Sequence, residues 1–392
     1  ARPPPPQSFS PPMQHRIILL ILLGAALLGG CGPKDARIPD GYPSDYAKIL
    51  QQADREHRLV IWSAVDRAKT AALLNAFGRA HPGFAISYVE MPATALNDRF
   101  LDAISRHLPT PDFLWSSAMD LQIKLTNDGY ALSYASPEAP ALPRWANWKD
   151  EAWGTTAEPI VMIYNRALMS DSAVPTTRAA LSRLLEARSP VIVGKVATYD
   201  LERSAVGYLY LMQDKQASPD IWRLVRAMGI NGTRFYPDAE DVMHAVRRGD
   251  AILGYNVIGS YAQDEARQDR NLGIVMPRDY TLVMSRIALI PKAAGHPATA
   301  KLFLDFLLSR NGQRFLAARS MPSVRGDFAL PGGTPSTSNG ALRAIRVGPA
   351  LLVDRDELTR RYFLKKWRST FCAGASASLS RGAAAIPACK QV

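Results

Sequence analysis

Short apolar runs alternate with helix-spaced segments through the first part of the chain. Residues 59–62 read as a buried strand, and residues 68–80 as a helix that turns Leu73, Leu74 and Phe77 inward. Residues 84–89 and 94–106 repeat the pair, a helix over 46–56 precedes them, and His81-Pro82-Gly83 closes the 68–80 helix. The apolar run 113–115 makes a third strand and stops at Ser116 and Ser117; Met119, Leu121, Ile123 and Leu125 follow at loose helical spacing. Such alternation predicts an α/β fold with a doubly wound, mostly parallel sheet.

The pattern then breaks into a loop carrying Trp145, Trp148 and Trp153, before the strongly apolar 160–164, a candidate crossing into a second lobe. There the spacing predicts helices over 177–185, 202–212, 221–228 and 239–248, and strands over 191–197, 233–236, 251–255 and 273–276. Residues 280–290 are apolar for long enough to cross back, and 297–308 and 311–318 are helices returning to the first lobe. The expected organisation is a leader (1–31), a tether (32–44), a first lobe (45–158) and a second lobe (159–281). The first lobe's return with the C-terminal helices (282–371) and an unstructured Ala/Ser/Gly tail (372–392) complete it.

Short polar residues gather where strands end and helices begin. Ser63 and Asp66 follow the first strand, Ser116 and Ser117 the third, Thr198, Tyr199 and Asp200 the 191–197 strand, and Tyr255 and Asn256 the 251–255 strand. Ser117 to Asp120 also has the spacing of a capping box. Ligands of open parallel sheets bind outside the carboxyl ends of strands, where helix N-termini present free N–H groups. The joints therefore predict one shared site in which hydroxyls and amides hold the oxygens of a small phosphate- or carboxylate-bearing solute. Asp66 and Asp200 either meet its hydroxyl or amine groups or simply cap their helices.

At 392 residues the chain suits two lobes. The net charge of +12 is spread along it without a long basic run, and no zinc-finger, RNP or basic-zipper pattern appears, so nucleic acid is not the expected partner. Positive charge fits an anionic ligand or lipid surface better. No Gly-x-Ser-x-Gly, Walker, Gly-x-Gly-x-x-Gly or His-Glu-x-x-His motif occurs, and the six histidines are scattered, so a binding protein without catalysis, cofactor or metal is expected. Cys372 and Cys389 could form a local disulfide in an oxidising compartment.

The N-terminus is more specific. After the Pro-rich residues 1–12, Met13 and the charged His15-Arg16 lead into an apolar run over 17–28, too short to span a bilayer comfortably, followed by Gly29-Gly30-Cys31. This resembles a bacterial lipoprotein signal, in which cleavage frees Cys31 for acylation and the body faces outward, anchored by lipid in the periplasm of a Gram-negative cell.

Four segments carry a wider resemblance: Leu59-Val-Ile-Trp-Ser-Ala-Val-Asp66, Asp112-Phe-Leu-Trp-Ser-Ser-Ala-Met-Asp120, Gly249-Asp-Ala-Ile-Leu-Gly-Tyr-Asn256, and Ile290-Pro-Lys-Ala-Ala-Gly-His-Pro297 through Gly312-Gln313. In this order they resemble the extracytoplasmic (periplasmic) solute-binding proteins of ABC importers, in the ferric-iron-binding-like branch. The resemblance implies a monomeric, two-lobed periplasmic-binding-protein fold with hinge strands, closing on a solute and delivering it to an inner-membrane permease. Iron-binding members of that branch use two adjacent tyrosines from the second lobe, with His and Glu from the first. The matching joints here hold Tyr255-Asn256, Asp66 and Ser117, with Tyr261 further on. A ferric-iron carrier, and a ligand sensor partnering a membrane kinase, stand as alternatives to the carrier of an anionic solute.

Overall fold

The computed structural model describes residues 38–327, 342–353 and 355–379, with Ala1, Arg2, Pro4 and Cys389. The lipoprotein signal with Cys31, and the whole 330–340 loop, lie outside the described residues. Residues 1–47 and 48–392 form separate units; within the first, the Tyr42 and Tyr46 rings meet edge-on at 4.7 Å.

The first sheet is built from strands that the apolar runs announce. In chain order, α1 (Tyr46–Glu56) leads to β1 (Arg58–Ser63), α2 (Arg67–Ala80), β2 (Ala85–Glu90), α3 (Ala93–Ser105), β3 (Phe113–Ser116) and α4 (Met119–Asn127). Two short strands, β4 (Asn147–Trp148) and β5 (Ala152–Gly154), follow. The sheet order is β2-β1-β3-β12-β5-β4, parallel from β2 to β3 and antiparallel beyond, where β12 (Ile287–Leu289) returns from far along the chain. Every residue of β3 is buried, as an unbroken apolar run in a central strand requires. Behind it the Phe113 and Phe77 rings both meet Phe303 edge-on, at 5.0 and 5.2 Å. Phe303 lies on α10 (Pro297–Leu308), which together with α11 (Arg310–Ala317) covers this face.

The chain leaves the first sheet at residues 155–157 and enters the second as β6 (Glu158–Asn165), whose eight residues are all buried. The second lobe continues with α5 (Arg178–Glu186), β7 (Val196–Tyr199), α6 (Ala205–Ala217), α7 (Ile221–Asn231), β8 (Arg234–Tyr236), α8 (Ala239–Arg247), β9 (Leu253–Ile258), α9 (Gly259–Gln268) and β10 (Leu272–Val275). The return follows β11 (Thr281–Met284). Its sheet runs β13-β11-β6-β9-β7-β8, with β10 also on β6 and β13 (Leu342–Ala344) at the edge. Both sheets are mixed, because each contains a strand that passes between the lobes against the direction of its neighbours. The single long strand expected over 280–290 is two, since Ser285 and Arg286 lie between β11 and β12 at the crossing.

The last helix departs from the expected grouping with the first lobe, whereas Leu351 of the short helix before it clusters with Met119 and Ile123 of α4. After α12 (Ala350–Val353), the helix α13 (Glu357–Leu379) packs on α7 of the second lobe, with Phe363, Trp367 and Phe371 in the same apolar cluster as Leu224 and Met228. The backbones approach so closely that a Cβ on Gly229 would lie 1.9 Å from the Phe371 carbonyl oxygen, and one on Gly374 2.1 Å from that of Arg226. Residues 372–379, expected as the start of an unstructured tail, are the end of this helix, and Cys372 is joined to Cys389 by a disulfide.

Candidate functional site

The strand-to-helix joints spend most of their polar atoms on the protein itself. Ser63 Oγ donates to the Trp115 carbonyl at 3.0 Å and accepts from Val65 N–H, stitching β1 to β3. Ser116 Oγ accepts from Ala118 N–H, Thr198 Oγ1 donates to the Tyr255 carbonyl, and the Asp200 carboxylate accepts from Glu202 and Arg203 N–H. No capping box forms: α4 starts at Met119 behind Ala118, without a side-chain cap. Asp66 precedes α2 and likewise makes no side-chain cap bond.

Tyr255 and Asn256, expected to contact a ligand, instead turn into the second lobe. Tyr255 Oη donates to Asp214 Oδ2 at 2.8 Å and accepts from Arg178 Nε at 2.8 Å, while Asn256 Nδ2 donates to the same Asp214 oxygen at 2.7 Å. Successive strand residues normally face opposite ways. Here Asn256 has a φ of 63°, a left-handed turn that lets both side chains reach one carboxylate.

Between the lobes lies a polar array. Lys69 of α2 pairs with Asp264 of α9, its Nζ stands 4.7 Å from the centre of the Tyr261 ring, and Ser320 Oγ donates to Asp264 at 2.6 Å. Asp66 is half-buried beside it, and its carboxyl is raised above the ordinary range by burial, with Arg286 pulling it down and Glu90 pushing it up. Asp66 and Ser117 make no side-chain hydrogen bond among the described residues. Tyr199 and Tyr210, with ring centres 6.3 Å apart, have buried hydroxyls without a partner, and burial raises both phenols. A buried hydroxyl without a partner is costly, so this part of the core is under-satisfied.

A pocket of about 250 Å³ opens nearby, and none of the residues expected from the joints lines it. The first lobe contributes Thr94, Asn97 and Asp98 from α3 and Leu121 from α4; the second contributes Arg203, Ser204 and Ala205 where α6 begins. Ser204 is the N-cap, its Oγ accepting from Gly207 N–H at 3.2 Å, so the positive end of the α6 dipole faces the pocket. Arg355, Glu357 and Arg360 close the wall from the C-terminal segment.

The charges there are not evenly matched. Glu202 pairs with Arg368 and Glu357 with Arg361, both partners lying outside the lining. Arg203 and Arg360 form no ion pair among the described residues. Arg355 holds the buried Asp120 carboxylate at 3.4 Å, yet its Nε is buried without an acceptor. Asp98, the remaining acid of the lining, likewise forms no ion pair among the described residues, so the free charges sum to one positive in excess, which suits an acceptor carrying negative charge. Reasoning from the sequence missed these arginines; Arg203-Ser204, directly after the Thr198-Tyr199-Asp200 joint and before an apolar helix, was the available signal. Among the described residues, no three His, Cys, Asp or Glu side chains converge as a metal site.

The fold and its cleft have known counterparts. A substrate-binding protein of an ABC transporter from Agrobacterium tumefaciens is similar at 36% identity and a TM-score of 0.75, over 80% of this chain and 94% of that one. Iron-bound HitA from Pseudomonas aeruginosa matches at 17% identity and 0.63, over 80% and 99%. AfuA from Actinobacillus pleuropneumoniae, with fructose-6-phosphate bound, matches at 15% and 0.61, over 80% and 98%; these two show likeness of fold. No curated protein matches significantly. The family model described as bacterial extracellular solute-binding protein matches residues 72–342, and with two lobes enclosing a cleft between their sheets, the chain belongs to that family.

Proposed function

We propose that this protein is the solute-capturing component of an ABC importer, taking up a small organic phosphate or carboxylate in the interlobe pocket and presenting it to an inner-membrane permease. The observation that carries the anionic ligand is the charge balance of the pocket: Glu202 and Glu357 are paired from outside, and Arg203 and Arg360, which form no ion pair among the described residues, outnumber the one lining acid left unpaired, Asp98. The first-turn amides of α6 add donors on the same side. Contacts from both lobes supply what closure needs, since a solute shifts the open–closed equilibrium only by binding the closed form better. In this reading the body is periplasmic, held to a membrane through Cys31, monomeric and without catalysis of its own.

A ferric-iron cargo fits this chain less well. Tyr255 already donates to Asp214 and accepts from Arg178, so its phenol lies within a complete network inside the second lobe. The deciding experiment is a thermal-shift screen against organic phosphates, dicarboxylates, sugars, polyamines and ferric iron. A true ligand at a hundredfold its Kd stabilises the fold by about 2.7 kcal/mol. A shift with phosphates or dicarboxylates supports the proposal; a shift with ferric iron alone, with a tyrosinate charge-transfer band, overturns it.

A further inference from the structure

Six charged side chains line the pocket, and three are matched: Glu202 by Arg368, Glu357 by Arg361 and Arg355 by Asp120. The other three, Asp98, Arg203 and Arg360, form no ion pair among the described residues. Asp98 lies on α3 of the first lobe, and its spacing from Thr94 and Asn97 puts all three on the lining face of that helix. Asn97 Nδ2 donates to Asp98 Oδ1 at 3.3 Å, and Oδ2 has no hydrogen bond among the described residues. Arg203 stands just before the Ser204 N-cap of α6, and Arg360 of α13 has its guanidinium carbon 5.4 Å from the centre of the Tyr208 ring, also on α6. Both arginines thus gather about the first turns of α6, whose dipole adds positive charge.

The two ends of the pocket therefore ask for opposite charges. Of the acids at the strand-to-helix joints, Asp66 does not line the pocket, and Asp200 gives its carboxylate to the Glu202 and Arg203 N–H groups. Asp98 is the acid left to meet a cation. An unpaired carboxylate weakens the hold on a solute that brings only negative charge, and an ammonium group relieves it. With Asp98 met by one positive charge, Arg203 and Arg360 remain for two negative ones, so a solute of net charge minus one leaves no lining charge unmatched.

We propose that the solute carries both signs of charge: an ammonium group that meets Asp98 on the first lobe, and a doubly anionic part held by Arg203, Arg360 and the first-turn amides of α6. Its class is that of aminoalkyl phosphates and amino dicarboxylates. This rests on the anionic-solute reading above and adds the second charge and the acid that selects it. It also ties selection to closure. A solute with only the anionic end gains little from the first lobe, whereas one with both ends binds the closed form better than either lobe alone.

The test is titration calorimetry of the protein at about 0.15 M salt with two matched pairs of probes, phosphoethanolamine against glycerol 3-phosphate and aspartate against succinate. In at least one pair the amine-bearing member should bind about tenfold or more tighter than its counterpart. Asp98→Asn should remove that preference, weakening the amine-bearing member and leaving its counterpart unchanged or tighter. Asp102→Asn, one turn along α3 and ion-paired with Arg106, should change neither. Asp98 is exposed, so its variant should melt within about 2 °C of wild type, and Asp98→Ser replaces it if it does not. If neither amine-bearing member reaches the tenfold preference, or Asp98→Asn keeps it, this inference falls while the anionic reading stands. If putrescine, a cation without an anionic end, binds as tightly as the amine-bearing probes, or no probe binds at all, both fall together.

Discussion

Arg286 Nε donates to Glu158 Oε1 across 2.8 Å, and neither side chain has any exposed surface. The pair sits where both crossing segments pass between the sheets: Glu158 opens β6, and Arg286 stands between β11 and β12. Thr156 Oγ1 donates to Glu158 Oε1 at 2.8 Å, and Ser260 Oγ donates to its other oxygen, so the carboxylate's acceptor sites are filled from both sides of the crossing. Removing one partner of a buried pair strands the other charge in a low-dielectric interior, at a cost of about 3–5 kcal/mol. Arg286→Met should therefore lower the unfolding free energy obtained from urea titration by that much. A loss below about 1 kcal/mol would mean that water reaches the crossing.

Two buried carboxyls should respond to acid in opposite senses. Burial alone would raise Glu158, but the charge and hydrogen bonds of Arg286 hold it below the ordinary range. Its stabilising contribution is thus present above the unfolded-state value and disappears as pH falls through the folded-state one. For Asp120, burial wins over Arg355 and the carboxyl is raised, so its contribution is present in acid and lost as pH rises through the raised value. Asp120→Asn should accordingly stabilise the protein at about pH 7, with the gain vanishing below about pH 4. Urea midpoints measured across that interval check it, and a variant less stable than wild type at neutral pH would show that the bond to Arg355 outweighs burial.

The crossing of α7 and α13 leaves no room for a methyl group. With the Cβ of residue 229 at 1.9 Å from the Phe371 carbonyl oxygen, Gly229→Ala must separate the helices. Overpacking of this kind costs about 1–3 kcal/mol, and here the clash is with backbone, which yields less than a side chain. The C-terminal helix of the variant should be cut by protease at Lys365 or Lys366 much faster than in wild type. Equal rates would show that the helices can slide past each other at little cost.

How far the sequence could be read depended on what each residue was asked to report. Phe113 to Trp115 announced a buried strand because position in a central strand and apolar composition are the same requirement. The pattern of such runs also carried the two-lobed α/β fold. Ser63, Thr198 and Tyr255 were harder, because the residue types that bind a solute at a strand end are those that tie strands together. What separates the roles is whether a backbone or carboxylate partner lies within reach, as the Trp115 carbonyl does for Ser63. Arg203 and Arg360 meet across a pocket only after both lobes and the terminal segment have folded, so no local spacing connects them. The stretch from residue 372 misled in another way. Its Ala/Ser/Gly composition reads as an unstructured tail, whereas the missing side chain of Gly374 is what lets α13 approach α7.

The last prediction concerns closure. Lys69 on the first lobe and Asp264 on the second are ion-paired, and Ser320, which follows α11, adds a hydrogen bond to the same carboxylate at 2.6 Å. These contacts exist only while the lobes are together, so they belong to the closed form and favour it whether or not solute is present. Lys69 is largely buried, which makes the pair less screened than an exposed one. Asp264→Ala should then shift the ligand-free protein toward the open form, seen as a larger radius of gyration in small-angle scattering. It should also weaken solute binding in proportion to the lost closed population, although residue 264 does not line the pocket. Adding saturating solute should restore the compact radius, because binding energy from the pocket replaces what the pair supplied. An unchanged radius together with unchanged affinity would mean that the lobes are held closed by Arg286, Glu158 and the crossing strands alone.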